Sequence, residues 1–421
     1  MIKRTKAVLL IGDGLADRPV DALDGRTPLE AAETPVLDRI AAEGECGQMD
    51  PIAPGIRAGS DTSHLAILGY DPFKVYTGRG PFEALGIGME VRGGDICFRG
   101  NFASLEGELS FSAAAGFAGA TVADRRAQRI SAGTEELARA LDGMTIEDVT
   151  CYVKESVEHR AALVLRGPGL GARVSDVDPH EEGLPPHAAA GEDEPSQKTA
   201  RVINQFVLRS WEALKDHAVN RDRAAAGKLP ANVLLPRGGG IAPQLEPFAS
   251  RHGISGACVV ETGLIAGIGR YLDMTVPHVP GATGGADTDE LALARAVVEM
   301  LSDHDFVLCN LKAPDLGGHD SQPDAKIRAT QMLDNLAGYL LDQAPESLHL
   351  AVTADHSTPI MFGDHTGDTV PLAIRGPNVR RDAVHTFGER AVVAGGLARI
   401  RGFDLMHILT NLMGVQEKFG A

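Results

Sequence analysis

Apolar residues cluster in short blocks toward both ends of the chain, and each block runs into a loop rich in glycine and acidic residues. Residues 7–11, AVLLI, are too few for a helix and have the character of a buried strand. The turn GDGLADRP follows. Thr34 and Pro35 then open VLDRIAAEG, in which Val36, Leu37 and Ile40 share a helical face. Thr34 is the expected N-cap, Pro35 the first helical residue and Gly44 the stop. Strand, polar loop and helix in succession predict an open α/β sheet.

The far end repeats that order. DFVLCNL at 305–311 predicts a buried strand, followed by the loop KAPDLGGHDS and, from Pro323, the long periodic helix DAKIRATQMLDNLAGYLLDQ. LHLAVTADHS at 348–357 predicts another strand, ending in Asp-His. VPLAI at 370–374 is a short last strand, and the tail around GGLARIRGFDLMHILTNLMG reads as helical. Between these ends, residues 111–275 read as shorter strands mixed with helices. Within them, 179–198 (PHEEGLPPHAAAGEDEPSQK) has the composition of an exposed linker. A helix anchored by Val202, Phe206, Trp211 and Leu214 comes next. The expected organisation is a discontinuous α/β core, 1–110 and 276–421, carrying a smaller α+β domain at 111–275.

Composition narrows the partners. The 421 residues, 43% hydrophobic, suffice for two ordinary folded domains. Forty basic against 57 acidic side chains give a net charge of -17, which argues against a nucleic-acid binder. A small anionic substrate stays compatible, because a few arginines or metal ions outweigh the average field locally. The five cysteines are widely spaced and form no CxxC pair, so a cytoplasmic setting is expected rather than a disulfide scaffold. The first apolar run ends at Asp13 with no small-residue cleavage site after it. No stretch approaches the ~20 apolar residues that span a bilayer, and no membrane association is expected.

Candidate chemistry lies in four loops: Asp13; Ser60-Asp61-Thr62-Ser63-His64; Asp315-Leu-Gly-Gly-His319; and Asp355-His356 with His365 beyond. Open α/β sheets bind ligands outside the carboxyl ends of their strands, where Asp13, Asp315 and Asp355 fall. Carboxylate and imidazole suit Mn²⁺ or Zn²⁺. One Asp-His pair is commonly just a turn; three such clusters, each behind a strand and beside glycine, predict a shared metal centre. Ser60 starts a helix, where serine is ordinarily a cap. Beside metals, and with helix N–H groups available to an anion, it is also a nucleophile candidate. Arg79, between glycines in YTGRGPFEALG, is either an exposed turn residue or a planar phosphate clamp.

Read together, these loops resemble the archaeal-type cofactor-independent phosphoglycerate mutases of the alkaline phosphatase superfamily. The matching stretches are IGDGLADRP, TPLEAAETPVLDRIAAEG, MDPIAPGIRAGSDTSHLAILGYDPFKVYTGRGPFEALG, FRGNFAS, ADRRAQRI, DVDPH, VPGATG, NLKAPDLGGHD and TADHSTP, in family order along nearly the whole chain. The resemblance implies an alkaline-phosphatase-like core with an inserted substrate-binding domain. It implies that Asp13, Ser60, Asp355 and His356 surround one metal ion and that Asp315, His319 and His365 surround the other. Mn²⁺ is the expected ion, with Zn²⁺, Co²⁺ or Mg²⁺ as alternatives. Ser60 would be transiently phosphorylated while 3-phosphoglycerate and 2-phosphoglycerate interconvert, with no 2,3-bisphosphoglycerate required.

TGDTVP after His365 departs from the family's usual SGDPVP, and GATGGADTDE lacks an aromatic residue common there; neither change touches a ligand position. A phosphatase, or a small-molecule phosphotransferase of the homoserine-kinase-like sort, would use the same centre. A mutase must also retain glycerate. Arg79, Arg125, Arg126, Arg129, His159, Arg160, Arg209 and Arg237 are the candidate partners for its carboxylate and for phosphate. The sequence leaves the oligomeric state open, a homo-oligomer included.

Overall fold

The structure, a computed structural model, describes residues 4–345, 347–418 and 420. The chain divides into two compact units: Met1–Val75 with Glu246–Ala421, and Tyr76–Leu245. Strands β1 (Lys6–Gly12) and β2 (Glu45–Asp50) belong to the first unit. The second unit holds β3 (Ile96–Ser112), β4 (Gly116–Asp124), β5 (Met144–Ile146), β6 (Val149–Glu155), β7 (Arg160–Arg166) and β8 (Val233–Ile241). The chain then returns with β9 (Gly256–Val259), β10 (Phe306–Leu311), β11 (Leu348–Thr353), β12 (Val370–Arg375) and β13 (Ala398–Arg401).

The first unit is built on a seven-stranded sheet in the order β13-β2-β12-β11-β1-β10-β9. Strands β11, β1, β10 and β9 are parallel neighbours, while β12 runs antiparallel to both β11 and β2. Every residue of β10 and β11 is buried, which is why these segments read as unbroken apolar runs rather than alternating ones. This is the expected open α/β core.

Helix Pro35–Glu43 begins as its sequence signals require, with Thr34 at the N-cap position and Pro35 first. The cap itself comes from elsewhere. Thr34 makes no side-chain capping bond; instead Asp334 Oδ1, on helix Pro323–Gln343, accepts from the N–H groups of Val36 (2.9 Å) and Leu37 (2.8 Å). A carboxylate is well placed there, at the positive end of the helix.

Two local expectations are corrected. Only Gly402–Leu412 of the tail is helical; Ala398–Arg401 is an edge strand parallel to β2, fixed by the bidentate pair of Arg399 with Asp50. Sequence 179–198 is exposed along most of its length, as expected, but it is anchored rather than a free linker. His187 N–H donates to Val177, Ala190 N–H to Ser175, and Asn204 brackets Ala189 with two bonds. From Glu194 the segment is already helix, capped by Asp193.

The second unit has a sheet in the order β4-β3-β7-β6-β5, with β8 also on β3. Helix Glu194–Leu214 buries Val202, Phe206, Trp211 and Leu214 in its core. The first half of β3 pairs with β7 and β8 and its second half with β4, so residues 96–110 are part of this unit. Residues 256–259 join the other sheet. The expected boundaries at 110/111 and 275/276 therefore move to 75/76 and 245/246. Among the described residues, no helix is long and apolar enough to cross a membrane.

Because Asp334 supplies the only side-chain cap found at helix Pro35–Glu43 among the described residues, Asp334→Ala should lower the unfolding free energy by about 1–2 kcal/mol. Urea denaturation reads this as a lower midpoint at constant slope. An unchanged midpoint would mean that packing alone holds the helix start.

Candidate active site

Three adjacent parallel strands deliver the acidic residues to one edge of the sheet. Asp13 follows β1, Asp315 lies beyond β10 in helix Ala313–His319, and Asp355 and His356 follow β11. The loop after β2 leads into helix Ser60–Ile67, and the loop between β11 and β12 carries His365. Asp13, Asp315, Asp355 and His356 are buried.

Two groups of side chains come within metal-binding reach: Asp13 with Asp355 and His356, and Asp315 with His356 and His365. His356 is common to both. His319 closes on the second group, its Nε2 lying 3.3 Å from His365 Nε2 and 3.5 Å from Asp315 Oδ1. Ser60 Oγ stands 3.1 Å from His356 Nε2. Gly59 occupies the N-cap position, and Thr62 exchanges hydrogen bonds with its backbone, so the Ser60 hydroxyl is not spent on capping. All seven residues proposed as ligands from the sequence are thus gathered in one place.

The groups suit cations. Asp355 Oδ2 is buried and receives no hydrogen bond among the described residues, and 3.2 Å away it faces His356 Nε2. A carboxylate oxygen and an imidazole nitrogen converging without a donor between them form a ligand set awaiting positive charge. Burial, reinforced by Asp13, pushes the Asp355 carboxyl up to about 7, and burial depresses His356 to about 4. Burial and the neighbouring His356 also lower His365. Mixed carboxylate and imidazole donors fit Mn²⁺ and Zn²⁺ alike.

Sequence reasoning did not single out Lys312 or Asn310, whereas His64 lies in one of its candidate loops. Lys312 Nζ donates to Asp13 Oδ1 (2.8 Å) and Asp315 Oδ2 (2.6 Å), bridging the two groups. Burial opposes its charge, but the two carboxylates outweigh that and raise its pKa. For Asp315, burial is likewise overcome, chiefly by Lys312, and its carboxyl lies well below the usual range. Asn310 Nδ2 donates to Asp13 Oδ2 (3.1 Å), and His64, one turn after Ser60, places Nδ1 2.7 Å from the Ser60 carbonyl. Asn310 had a legible signal, as the one amide in an apolar strand.

In the second unit, Arg99 and Arg237 are cross-strand partners on β3 and β8. Glu83 holds both Arg99 (2.7 Å) and Arg79 (2.9 Å), and Asp178 holds Arg125 through two bonds, with Arg237 at 3.8 Å. Arg160, Arg99 and Arg237 line one small cavity with Asn101 and Ser156. Arg129 pairs with Glu158 beside His159, whose buried Nδ1 has no hydrogen-bond partner among the described residues. Burial, and then the charges of Arg160 and Arg126, lower the pKa of His159. Arg209 is not part of this group: it donates to Thr145 O on β5, the opposite edge strand. Arg99, unremarked in FRGNFAS, takes a more central place.

Comparison with known proteins agrees with this architecture. The family model described as 2,3-bisphosphoglycerate-independent phosphoglycerate mutase matches residues 41–220. The chain is 52% identical over 423 residues to 2,3-bisphosphoglycerate-independent phosphoglycerate mutase 1 of Methanothermobacter thermautotrophicus, covering 99% of this chain and 100% of the relative. It is 48% identical to the corresponding protein of Methanopyrus kandleri, with 99% and 98% covered. The solved cofactor-independent phosphoglycerate mutase of Thermoplasma acidophilum superposes with a TM-score of 0.80 at 38% identity, over 97% of this chain and 100% of that one. With identity at this level over nearly the whole of both chains and the acidic strand ends in place, the chain belongs to the archaeal-type 2,3-bisphosphoglycerate-independent phosphoglycerate mutases.

Proposed function

We propose that this protein interconverts 3-phosphoglycerate and 2-phosphoglycerate through transient phosphorylation of Ser60, without 2,3-bisphosphoglycerate. The observation that carries this reading is the Ser60 hydroxyl, free of capping duty and 3.1 Å from His356 Nε2, beside both ligand groups. Asp13, Asp355 and His356 would hold one divalent cation, with Ser60 as a further ligand, and Asp315, His319 and His365 would hold the other. Mn²⁺ is the preferred ion. Bound cations supply positive charge to the transferring phosphoryl group and favour the alkoxide form of serine.

Ser60 Oγ attacks phosphorus, the bond from phosphorus to the C3 oxygen breaks, and the serine proton ends on that oxygen. The glycerate then turns. Its C2 oxygen attacks the phosphoserine, the Ser60–phosphorus bond breaks, and the C2 hydroxyl proton returns to Ser60. Lys312, pinned between Asp13 and Asp315, adds a fixed cation at the same place. Arginines of the second unit, Arg99 and Arg237 foremost, bind the carboxylate and keep glycerate from leaving between the two transfers, with Arg79, Arg125, Arg126, Arg129, His159 and Arg160 around them. Arg209 has no part in this. Five free, buried thiols fit the reducing cytoplasm as the place of action.

With Mn²⁺ and 3-phosphoglycerate alone, the purified protein should form 2-phosphoglycerate as its main product. Free phosphate as the main product would overturn the mutase reading in favour of a phosphatase. Ser60→Ala should keep its circular dichroism spectrum and lose turnover by more than ~1000-fold; near-normal turnover would remove Ser60 from the mechanism. Arg237→Ala should raise free phosphate relative to 2-phosphoglycerate, because glycerate escapes and water takes its place. An equal slowing of both products would assign Arg237 to substrate capture only.

A further inference from the structure

In TADHSTP, Thr358 belongs to neither ligand group yet its side chain touches residues of both. Thr358 is fully buried, and its hydroxyl lies between the two groups. Oγ1 donates to Asp315 Oδ1 at 2.7 Å and sits 3.1 Å from His356 Nδ1. Its backbone is clamped on both sides: the Thr358 N–H donates to Ala16 O (3.1 Å), and Lys326 Nζ donates to Thr358 O (2.8 Å). Space for the contact comes from Gly14, at φ +58°, where a Cβ would fall 2.5 Å from Thr358 Oγ1 and 2.6 Å from Asp315 Oδ1.

Proton counting then sets the direction of the chain. A hydroxyl has a single hydrogen, and an ionised carboxylate only accepts. With that hydrogen on Asp315, the contact to His356 requires Nδ1–H to donate to Thr358 Oγ1. His356 is therefore the Nδ1-protonated tautomer, and its Nε2 lone pair faces Asp355 Oδ2 (3.2 Å), Asp13 Oδ1 (3.7 Å) and the Ser60 hydroxyl (3.1 Å). Asp315, at the other end, presents Oδ1 toward His319 and His365.

We infer that Thr358 is a positioning residue that couples the two metal subsites, fixing the His356 tautomer for one and the Asp315 carboxylate for the other through a single hydroxyl. It touches neither the reacting atoms nor a cation. Partners of this kind orient a ligand and raise its basicity, and their loss typically weakens metal binding by about 10–100-fold. The inference rests on the two-cation assignment above. Loss of one hydroxyl should weaken both subsites together, whereas loss of His365 should weaken one.

The test is calorimetric titration of the metal-stripped full chain with Mn²⁺, comparing wild type, Thr358→Val, Thr358→Ala, Thr358→Ser and His365→Ala. Wild type should bind two ions. Val and Ala variants should lose about tenfold or more at both subsites, Ser should stay near wild type, and His365→Ala should lose affinity at one. Wild-type affinity at either subsite of the Val or Ala variant, or a Ser variant as weak as Ala, would overturn the role of Thr358 and leave the two-cation assignment standing. Fewer than two ions on wild type would instead overturn that assignment. If the Val and Ala variants fail to fold, the Zn²⁺-loaded wild type decides: its imidazole ¹H–¹⁵N spectrum should show His356 protonated at Nδ1, and a proton on Nε2 would refute the relay.

Discussion

Three carboxylates, those of Asp13, Asp315 and Asp355, are buried where three neighbouring strands end, and their repulsion is the constraint around which the first unit is arranged. An isolated buried charge costs several kcal/mol, so each needs a counter-charge or a proton. Lys312 answers for Asp13 and Asp315, whereas Asp355 Oδ2 has no donor among the described residues and its carboxyl is driven toward neutrality by burial and by Asp13. Divalent cations complete this compensation and turn an electrostatic liability into a site that stabilises a phosphoryl group in transfer.

Such a cluster survives only on a rigid support. A second buried ion pair, Lys326 with Asp17 at 2.8 Å, lies nearby, and Lys326 also donates to the carbonyls of Ala16 and Thr358. One ammonium thus ties the loop after β1 to the loop after β11, the two segments that carry Asp13 and Asp355. The second unit solves a different problem. Against an overall charge of -17, it places Arg99 on β3 across from Arg237 on β8, with Glu83 restraining Arg99 and Arg79 and Asp178 restraining Arg125.

Much of this was legible in the sequence, for identifiable reasons. β1, β10 and β11 are buried on both faces and so appear as short unbroken apolar runs, and the residues after them are the acidic ones. What stayed hidden depends on pairing over long distance. Helix Pro35–Glu43 takes its cap from Asp334, nearly 300 residues away, and the pairing of Arg99 with Arg237 requires the β3–β8 register. β9, at four residues, is too short to announce itself, so the sequence does not show that 256–259 belongs to the first sheet. Nor did spacing allot ligands to two ions; that grouping came from family resemblance, and the sharing of His356 between the two groups emerged only in three dimensions. Lys312 did leave a trace, three residues before Asp315 at a helix start.

Retention of glycerate on the protein between the two phosphoryl transfers separates a mutase from a phosphatase built on the same metals and serine. Adding ¹⁴C-labelled glycerate in excess during initial turnover of unlabelled 3-phosphoglycerate measures it directly. With glycerate retained, 2-phosphoglycerate should be essentially free of label. Extensive label in the product during those first turnovers would show that the acceptor exchanges with solvent, and would contradict retention.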